Sequence, residues 1–399
     1  MEKNINYKLA LYLSSLLLFS FFFLFIKYPV ANDSTISEWL INYEGGFTKR
    51  GAMGQIAIYF SRFFETELRW AIYLLQSAFC TIYFILLYNF FKNINFDRIS
   101  TLAIFTPIFI LYPVAEIEVL ARKEVIIFSI YIAYLMVPRI NFFKDFSLLI
   151  FFVLSMLVWE PTIFFVPIIV LIELIENKIS KLNFNFFKVI FLLLPGILIG
   201  FYFAISPLTN DQHDIMRLVL KNEFSEGCYM SCELLKTKSS IMQHFEQYKV
   251  YTLETTIRYI LIIIIGFFPL FILLKNSKLK NKNIFFLNKF NNLLFPTLIC
   301  LIPVIVLFAM GYDWGRWVNI AYVFTAIFYF YLFKNNFINL NSGLKNHYVN
   351  KLNKKTFIVL FIIFCFGWNQ KTAITGDVAS FPGYRIPYKT LSYIIRGHL

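Results

Sequence analysis

Long apolar runs separated by short basic turns set the plan of this chain. A run of about 18 or more apolar residues reads as a bilayer-spanning helix, since crossing ~30 Å of hydrocarbon takes about 20 residues. The pattern predicts spans over residues 9–27, 70–90, 100–114, 124–137, 189–206, 255–274, 293–310, 318–333 and 356–368. The run from Phe146 to Ile175 carries Trp159-Glu160-Pro161 at its centre, and proline disfavours unbroken helix there. Arg139 and Lys144 precede it and Lys178, Lys181 and Lys188 follow it. Both flanks belong inside, so the run becomes a hairpin with its tip at Glu160-Pro161. At 1.5 Å per residue each arm is only ~20 Å long, which puts the tip below the outer surface, inside a cavity. The expectation is an all-α polytopic integral membrane protein of about eleven transmembrane helices. It forms one transmembrane domain over residues 1–399, amino end inside and carboxyl end outside.

This arrangement leaves two enlarged outer loops, 28–69 and 207–254. The inner segments hold 19 Lys/Arg against 5 Asp/Glu and the outer segments 18 against 18, the bias that the positive-inside rule requires. The formal net charge of +14 is therefore a topology signal, not the footprint of a nucleic-acid partner. Fifty Phe and a 59% hydrophobic composition exclude an ordinary soluble domain. Leu9–Ile26 is followed by Lys27-Tyr28-Pro29 rather than a small-residue cleavage site, so the first helix is read as retained. Cys80, Cys300 and Cys365 fall within apolar runs. Cys228 and Cys232 lie in the large outer loop, as a disulfide, as free thiols or as a sparse soft-metal pair. With no His or further Cys nearby, a metal site is not expected there.

Every unusual polar cluster falls on the outer side: Glu44 to Arg50, Glu116 to Glu124, Glu160, Asp211 to Arg217, and Asp313 with Arg316. The last pair sits in Gly311-Tyr312-Asp313-Trp314-Gly315-Arg316-Trp317, between two membrane-length runs. A charge at bilayer depth costs roughly 2.5–3.5 kcal/mol on insertion scales, so it faces a partner or a watery cavity. Plain structural explanations exist for most of these residues. Asp313 and Arg316 at i, i+3 neutralise each other, with Trp314 and Trp317 as interfacial anchors. Glu118 with Arg122, or Lys123 with its acidic neighbours, makes a salt-bridged turn; Gly45-Gly46 is a turn; His213 and His244 are surface residues. Glu160, on the tip of an apolar hairpin, resists that explanation.

The inner loops carry no P-loop and the helix centres are nearly free of charge. That excludes an ATP-driven transporter and argues against an ion-coupled carrier. What remains is an outer cavity of cations and carboxylates. Arg offers a bidentate fork to phosphate oxygens. A desolvated carboxylate or His takes a proton from a sugar hydroxyl, and Trp and Tyr offer flat faces to sugar rings. Glu160, Asp313 and Arg316 are the expected catalytic groups, the carboxylates as general base or as orienters of an Arg. Arg122, Arg50, Lys49, Glu44, Glu118, Arg217, Trp314 and Trp317 are the expected substrate-binding groups. Such a mixture suits a lipid-linked sugar, with isoprenoid between helices, diphosphate on the cations and glycan over the aromatics.

On these features the chain resembles the O-antigen and capsule repeat-unit polymerases of Gram-negative bacteria, in length, helix number, richness in Phe and Ile, and one enlarged periplasmic loop late in the chain. Some members space an Arg ahead of a Gly in such a loop, and Arg217 and Gly227 approximate that spacing. The resemblance implies block transfer of a growing glycan from undecaprenyl diphosphate to the next lipid-linked unit, at the periplasmic face of the bacterial inner membrane. It implies no nucleotide sugar, cofactor or metal. Its partners would be lipid-linked oligosaccharides and membrane lipid, with a chain-length regulator protein as a further one. A second resemblance is to the GT-C superfamily of membrane glycosyltransferases that use polyprenyl-phosphate sugars. It implies an architecture of that type and an acidic residue in the first outer loop, where Asp33, Glu38 or Glu44 fits. A flippase for lipid-linked oligosaccharide is the third reading. It would line the middle of the bundle with charge, a pattern this sequence lacks.

Overall fold

The structure, a computed structural model, describes residues 2–30, 34–116, 118–138, 140–233, 235, 253–281, 283–311, 313–371 and 379–380. Asp33, Tyr312 and His244 lie outside the described residues. The chain is mostly helical, and strand among the described residues is confined to two short antiparallel pairs. The longer helices in chain order begin with α1 (Glu2–Lys27), α2 (Ala52–Phe64), α3 (Leu68–Phe91), α4 (Arg98–Phe105), α5 (Glu124–Met136), α6 (Asn141–Val158) and α7 (Val166–Glu176). They continue with α8 (Phe184–Ile205), α9 (Asn210–Phe224), α10 (Leu253–Lys275), α11 (Leu294–Leu301), α12 (Trp314–Lys334) and α13 (Lys354–Phe366). Among the described residues five helices are long and apolar enough to cross a membrane: those at Asn6–Lys27, Leu68–Phe91, Phe184–Ile205, Leu253–Lys275 and Trp314–Lys334.

Two compact units divide the chain. The first comprises Met1–Asn93, Glu118–Val166 and Leu182–Ser240; the second comprises Ile94–Ile117, Pro167–Lys181 and Ile241–Leu399. In the first, α3 packs against α1, α2 and α5, and α6 packs against α5 and α8. In the second, α10 packs against α4 and α12. From Gly315 to Leu332 every residue of α12 is buried, so this helix is the unit's spine.

Prolines shape three of the apolar runs, two of them against expectation. The one at 100–114 stops at Phe105, because Pro107 has no N–H to donate and turns Thr106 out of helix (φ −55°, ψ 140°). The buried non-helical backbone that follows is satisfied from α12: Asn319 Nδ2 donates to the carbonyls of Ile108 (2.8 Å) and Phe109 (3.1 Å). That is the condition for irregular backbone buried away from water. Pro303 breaks the run at 293–310 into α11, a 3-10 turn at Ile302–Val304 and a short helix at Ile305–Met310. The run at 146–175 divides where expected: Trp159 is extended (φ −157°, ψ 96°) and a 3-10 turn spans Glu160–Phe165.

The two long loops expected outside contain helix among their described residues. Residues 28–69 hold a short helix at Ser34–Ser37, a 3-10 turn at Glu38–Leu40, and the 13-residue α2. Residues 207–254 hold α9, opened by a capping box in which Thr209 and Gln212 bond each other's backbone N–H.

Segments expected on the inner side meet one another within each unit. Asn6 bonds Asn93 (3.1 Å) and Lys188 pairs with Asp145 in the first unit. In the second, Phe285 N donates to Ile179 O (2.8 Å), and Arg98 donates to the carbonyls of Val349, Asn350 and Leu352. Strand Ser277–Leu279, after α10, pairs with Ile338–Leu340, after α12.

Candidate functional site

Glu38, Lys49, Arg50, Arg122, Lys123, Glu124 and Glu160 form one ionic cluster in the first unit. Two segments build it. In the first, Trp39 Nε1 donates to the Ala121 carbonyl (3.0 Å), locking the Glu38–Leu40 turn onto the segment that carries Arg122 and Lys123. In the second, the loop from Tyr43 to Gly51 folds on itself: Gln55 Oε1 accepts from Tyr43 N (2.8 Å) and Asn42 Oδ1 from Glu44 N (2.9 Å). Arg50 and Ala121 both take left-handed backbone, at φ 62° and φ 53°. For residues with a Cβ this costs free energy, and it is held by surrounding structure.

Arg50 grips Glu160 with a parallel fork, Nε to Oε2 at 3.1 Å and Nη2 to Oε1 at 3.0 Å. Charge-assisted bidentate pairs of this kind are the strong ones. Arg122 Nη1 lies 3.4 Å from Glu38 Oε1, and both side chains are almost fully buried, 3% and 4% exposed. Lys123, wholly buried, donates from Nζ to the Arg50 carbonyl and feels Glu38, Glu160 and Glu124. Burial pushes its ammonium down to about 7, against the pull of Glu38. Burial likewise lowers Lys49, against the attraction of Glu160. Glu124 sits in the first turn of α5, where a negative charge is favoured. Four cations thus face three carboxylates.

The other expected residues are distributed around or away from this cluster. Glu44 pairs with Arg62 (2.9 Å) and accepts from Gln55 Nε2 (2.8 Å); the Arg62 hydrogen bond holds its carboxyl below the usual range. Arg62 in turn forks onto Glu223 at the end of α9 (2.6 and 2.7 Å). Glu118 accepts from Ser34 Oγ (2.7 Å) and lies 3.5 Å from Lys27 Nζ. Arg217 is exposed on α9, so it stands on a helix rather than in open loop. Asp313, Trp314, Arg316 and Trp317 belong to the second unit. There Arg316 Nη1 donates to Asp313 Oδ2 (2.6 Å), and Trp314 and Trp317 donate their indole N–H to the carbonyls of Phe308 (2.9 Å) and Gly311 (3.2 Å). Both indoles are tied to the end of the preceding helix, in the first turn of α12.

Gly45 is more than a turn residue. A Cβ there would lie 1.8 Å from the Gln212 carbonyl oxygen, so the first outer loop and α9 touch backbone to backbone. Gly45→Ala is expected to lift α9 off the loop at a cost of about 1–3 kcal/mol. Limited proteolysis of purified chain checks it: cleavage within 210–224 at the wild-type rate would contradict the close contact.

His213 is buried, with Nε2 3.4 Å from Cys228 Sγ, and Cys228 and Cys232 form a disulfide. The expectation that no His lies near this pair is therefore corrected: α9 delivers one from outside the local sequence. His213, Cys228 and Cys232 lie within 4.8 Å of one another, a grouping able to hold a metal ion. While the sulfurs are bonded to each other, neither is available as a thiolate ligand. Glu38, expected only as a first-loop acid under the second resemblance, and Lys123, expected only in a salt-bridged turn, are both central to the cluster. The signal for Glu38 was its position in the first outer loop; for Lys123 it was the unbroken Arg122-Lys123-Glu124 before an apolar helix.

Comparison with protein-family models, with curated proteins and with solved structures found no match.

Proposed function

We propose that this chain transfers glycans from a polyprenyl diphosphate carrier at the outer face of a bacterial inner membrane, as a polymerase of lipid-linked repeat units. The observation that carries the reading is the cluster of Lys49, Arg50, Arg122 and Lys123 with Glu38, Glu124 and Glu160, on segments expected to face outward. Segments expected inside contact one another within each unit, which supports placing them on one side of the membrane.

In the transfer, the bond between the donor sugar's anomeric carbon and the diphosphate oxygen breaks, and a hydroxyl of the acceptor glycan attacks that carbon. Negative charge accumulates on the departing diphosphate, and Arg50 with Lys49 stabilises it; preorganised charge of this kind is the largest catalytic contribution in many enzymes. Glu160 has both oxygens committed to Arg50 and so orients the guanidinium. Of the two carboxylates that remain, Glu38, on the first loop beside Arg122, is assigned as the base that accepts the hydroxyl proton, and Glu124 stays in the first turn of α5.

A buried first-loop carboxylate also favours a second reading, a GT-C-type transferase moving one sugar from a polyprenyl phosphate. The surface glycan of a strain lacking the gene separates the two on a gel. Collapse of the ladder to core plus a single intact repeat unit is the expected result. Persistence of the ladder, each rung lighter by one sugar, identifies the single-sugar transferase. Absence of any repeat unit at the surface sinks both in favour of a flippase or an earlier step.

A further inference from the structure

An apolar cleft of about 240 Å³ runs between α4, α10 and α13 in the second unit. Its walls include Leu102 of α4, Ile265 and Phe268 of α10, and Leu360 and Phe364 of α13, with Val349 at the mouth. Past Leu102 the cleft is closed. Thr106 Oγ1 donates to the Gly266 carbonyl (3.3 Å), and a Cβ at Gly266 would lie 2.6 Å from Ile108 Cδ1. Pro269 also lines the cleft, and as proline it has no N–H for the Ile265 carbonyl.

The mouth is built and charged. Arg98 donates to the carbonyls of Val349 (3.3 Å) and Asn350 (3.2 Å), and Asn350 Nδ2 donates to Asp97 Oδ2 (3.0 Å), which fixes the turn at Tyr348–Lys351. Immediately beyond stand Lys351, Lys354 and Lys355, all exposed. No acidic residue occurs anywhere from 334 to 376, and the one carboxylate placed at this turn, Asp97, is engaged by Asn350. Lys354 lies six residues before Leu360 on α13, ~9 Å along the helix and about a third of a turn around it.

We propose that this cleft is a binding site for an anionic phospholipid, one acyl chain lying between α4, α10 and α13 and the headgroup phosphate on Lys351, Lys354 and Lys355. The apolar walls ask for hydrocarbon. A second protein helix, about 10 Å across, is too wide for a cleft of this volume. Three exposed lysines select a net negative headgroup over a zwitterionic one, as juxtamembrane basic clusters do.

The test uses the full-length chain purified in mild detergent, with its thermal unfolding midpoint followed against added dioleoylphosphatidylglycerol or dioleoylphosphatidylcholine. The expected result is a saturable rise with phosphatidylglycerol, half-complete at a concentration at least tenfold lower than for phosphatidylcholine. The combined Lys351→Gln, Lys354→Gln, Lys355→Gln variant should lose that tenfold preference. Leu360→Trp, which fills the cleft, should lose the rise with either lipid. Equal response of the wild type to both lipids overturns the proposal, as does an undiminished response in Leu360→Trp. A rise with a polyprenyl phosphate but none with phosphatidylglycerol also overturns it, because the occupant is then the isoprenoid carrier. Should Leu360→Trp fail to fold, the lysine variant, altered only at exposed positions, decides the question by keeping or losing the preference.

Discussion

Arg50→Ala is expected to cut glycan transfer by about 10²–10³-fold, the usual loss when one charge-stabilising donor is removed from an active site, while the chain still accumulates in the membrane. Its side chain is 26% exposed and that of Glu160 is 19% exposed, so water reaches the carboxylate left behind. The contrast is Arg122→Ala. Arg122 and Glu38 are almost wholly buried, and breaking a buried pair by removing one partner costs about 3–5 kcal/mol. That variant should fail by losing folded protein. Arg50→Lys keeps the charge but loses the fork on Glu160, so it should retain a fraction of activity. If Glu160 acts only by aiming Arg50, adding Glu160→Gln to Arg50→Ala should lower transfer no further. The measurement is transfer from a purified lipid-linked donor at matched protein concentration. Wild-type rates for Arg50→Ala would remove the cluster from the reaction.

What could be read from the sequence followed local physics. Residues near 9–27, 70–90, 189–206, 255–274 and 318–333 form long helices because unbroken apolar stretches have one good solution in a bilayer. Trp159-Glu160-Pro161 broke its run as proline requires. Thr106-Pro107 carried the same signal, and the unbroken span expected at 100–114 overlooked it. The capping box at Thr209 and Gln212 was likewise written in the large outer loop. α2 carries a clear helical period, and the assignment of 28–69 to a loop passed over it. The site divided along the same line. Arg50 stands out in the first loop, Arg122 just ahead of an apolar run and Glu160 in the middle of one. Their pairing with one another and with Glu38 joins residues more than 80 positions apart, which no spacing rule reaches. Lys123 was hidden for a different reason: beside Arg122 it reads as one more basic residue, and only packing shows that it too is buried, wholly so.

That burial makes Lys123 the source of a pH dependence with two separable parts. In the unfolded chain its amine titrates near 10.4, whereas in the folded protein burial pushes it down to about 7. Between those values the unfolded state holds a proton that the folded state has released, so stability should rise with pH from about 7 to 10 by up to about 1.4 kcal/mol per pH unit. Below pH 7 the full penalty of a buried ammonium applies. Lys123→Met removes the titrating group, and its unfolding midpoint should lose that slope. The second part belongs to ligand binding. A diphosphate against Lys49 and Arg50 adds negative charge near Lys123 and raises its pKa, so binding above pH 7 takes up a proton. KM for the lipid diphosphate should therefore climb as pH rises from 7 to 9, with kcat much less affected. Lys123→Arg, charged throughout that range, should flatten the KM profile without abolishing transfer, which loss of packing alone would not do. A wild-type enzyme with flat KM and flat stability across the same interval would show that Lys123 stays protonated, and that the charge facing the diphosphate is fixed rather than titrating.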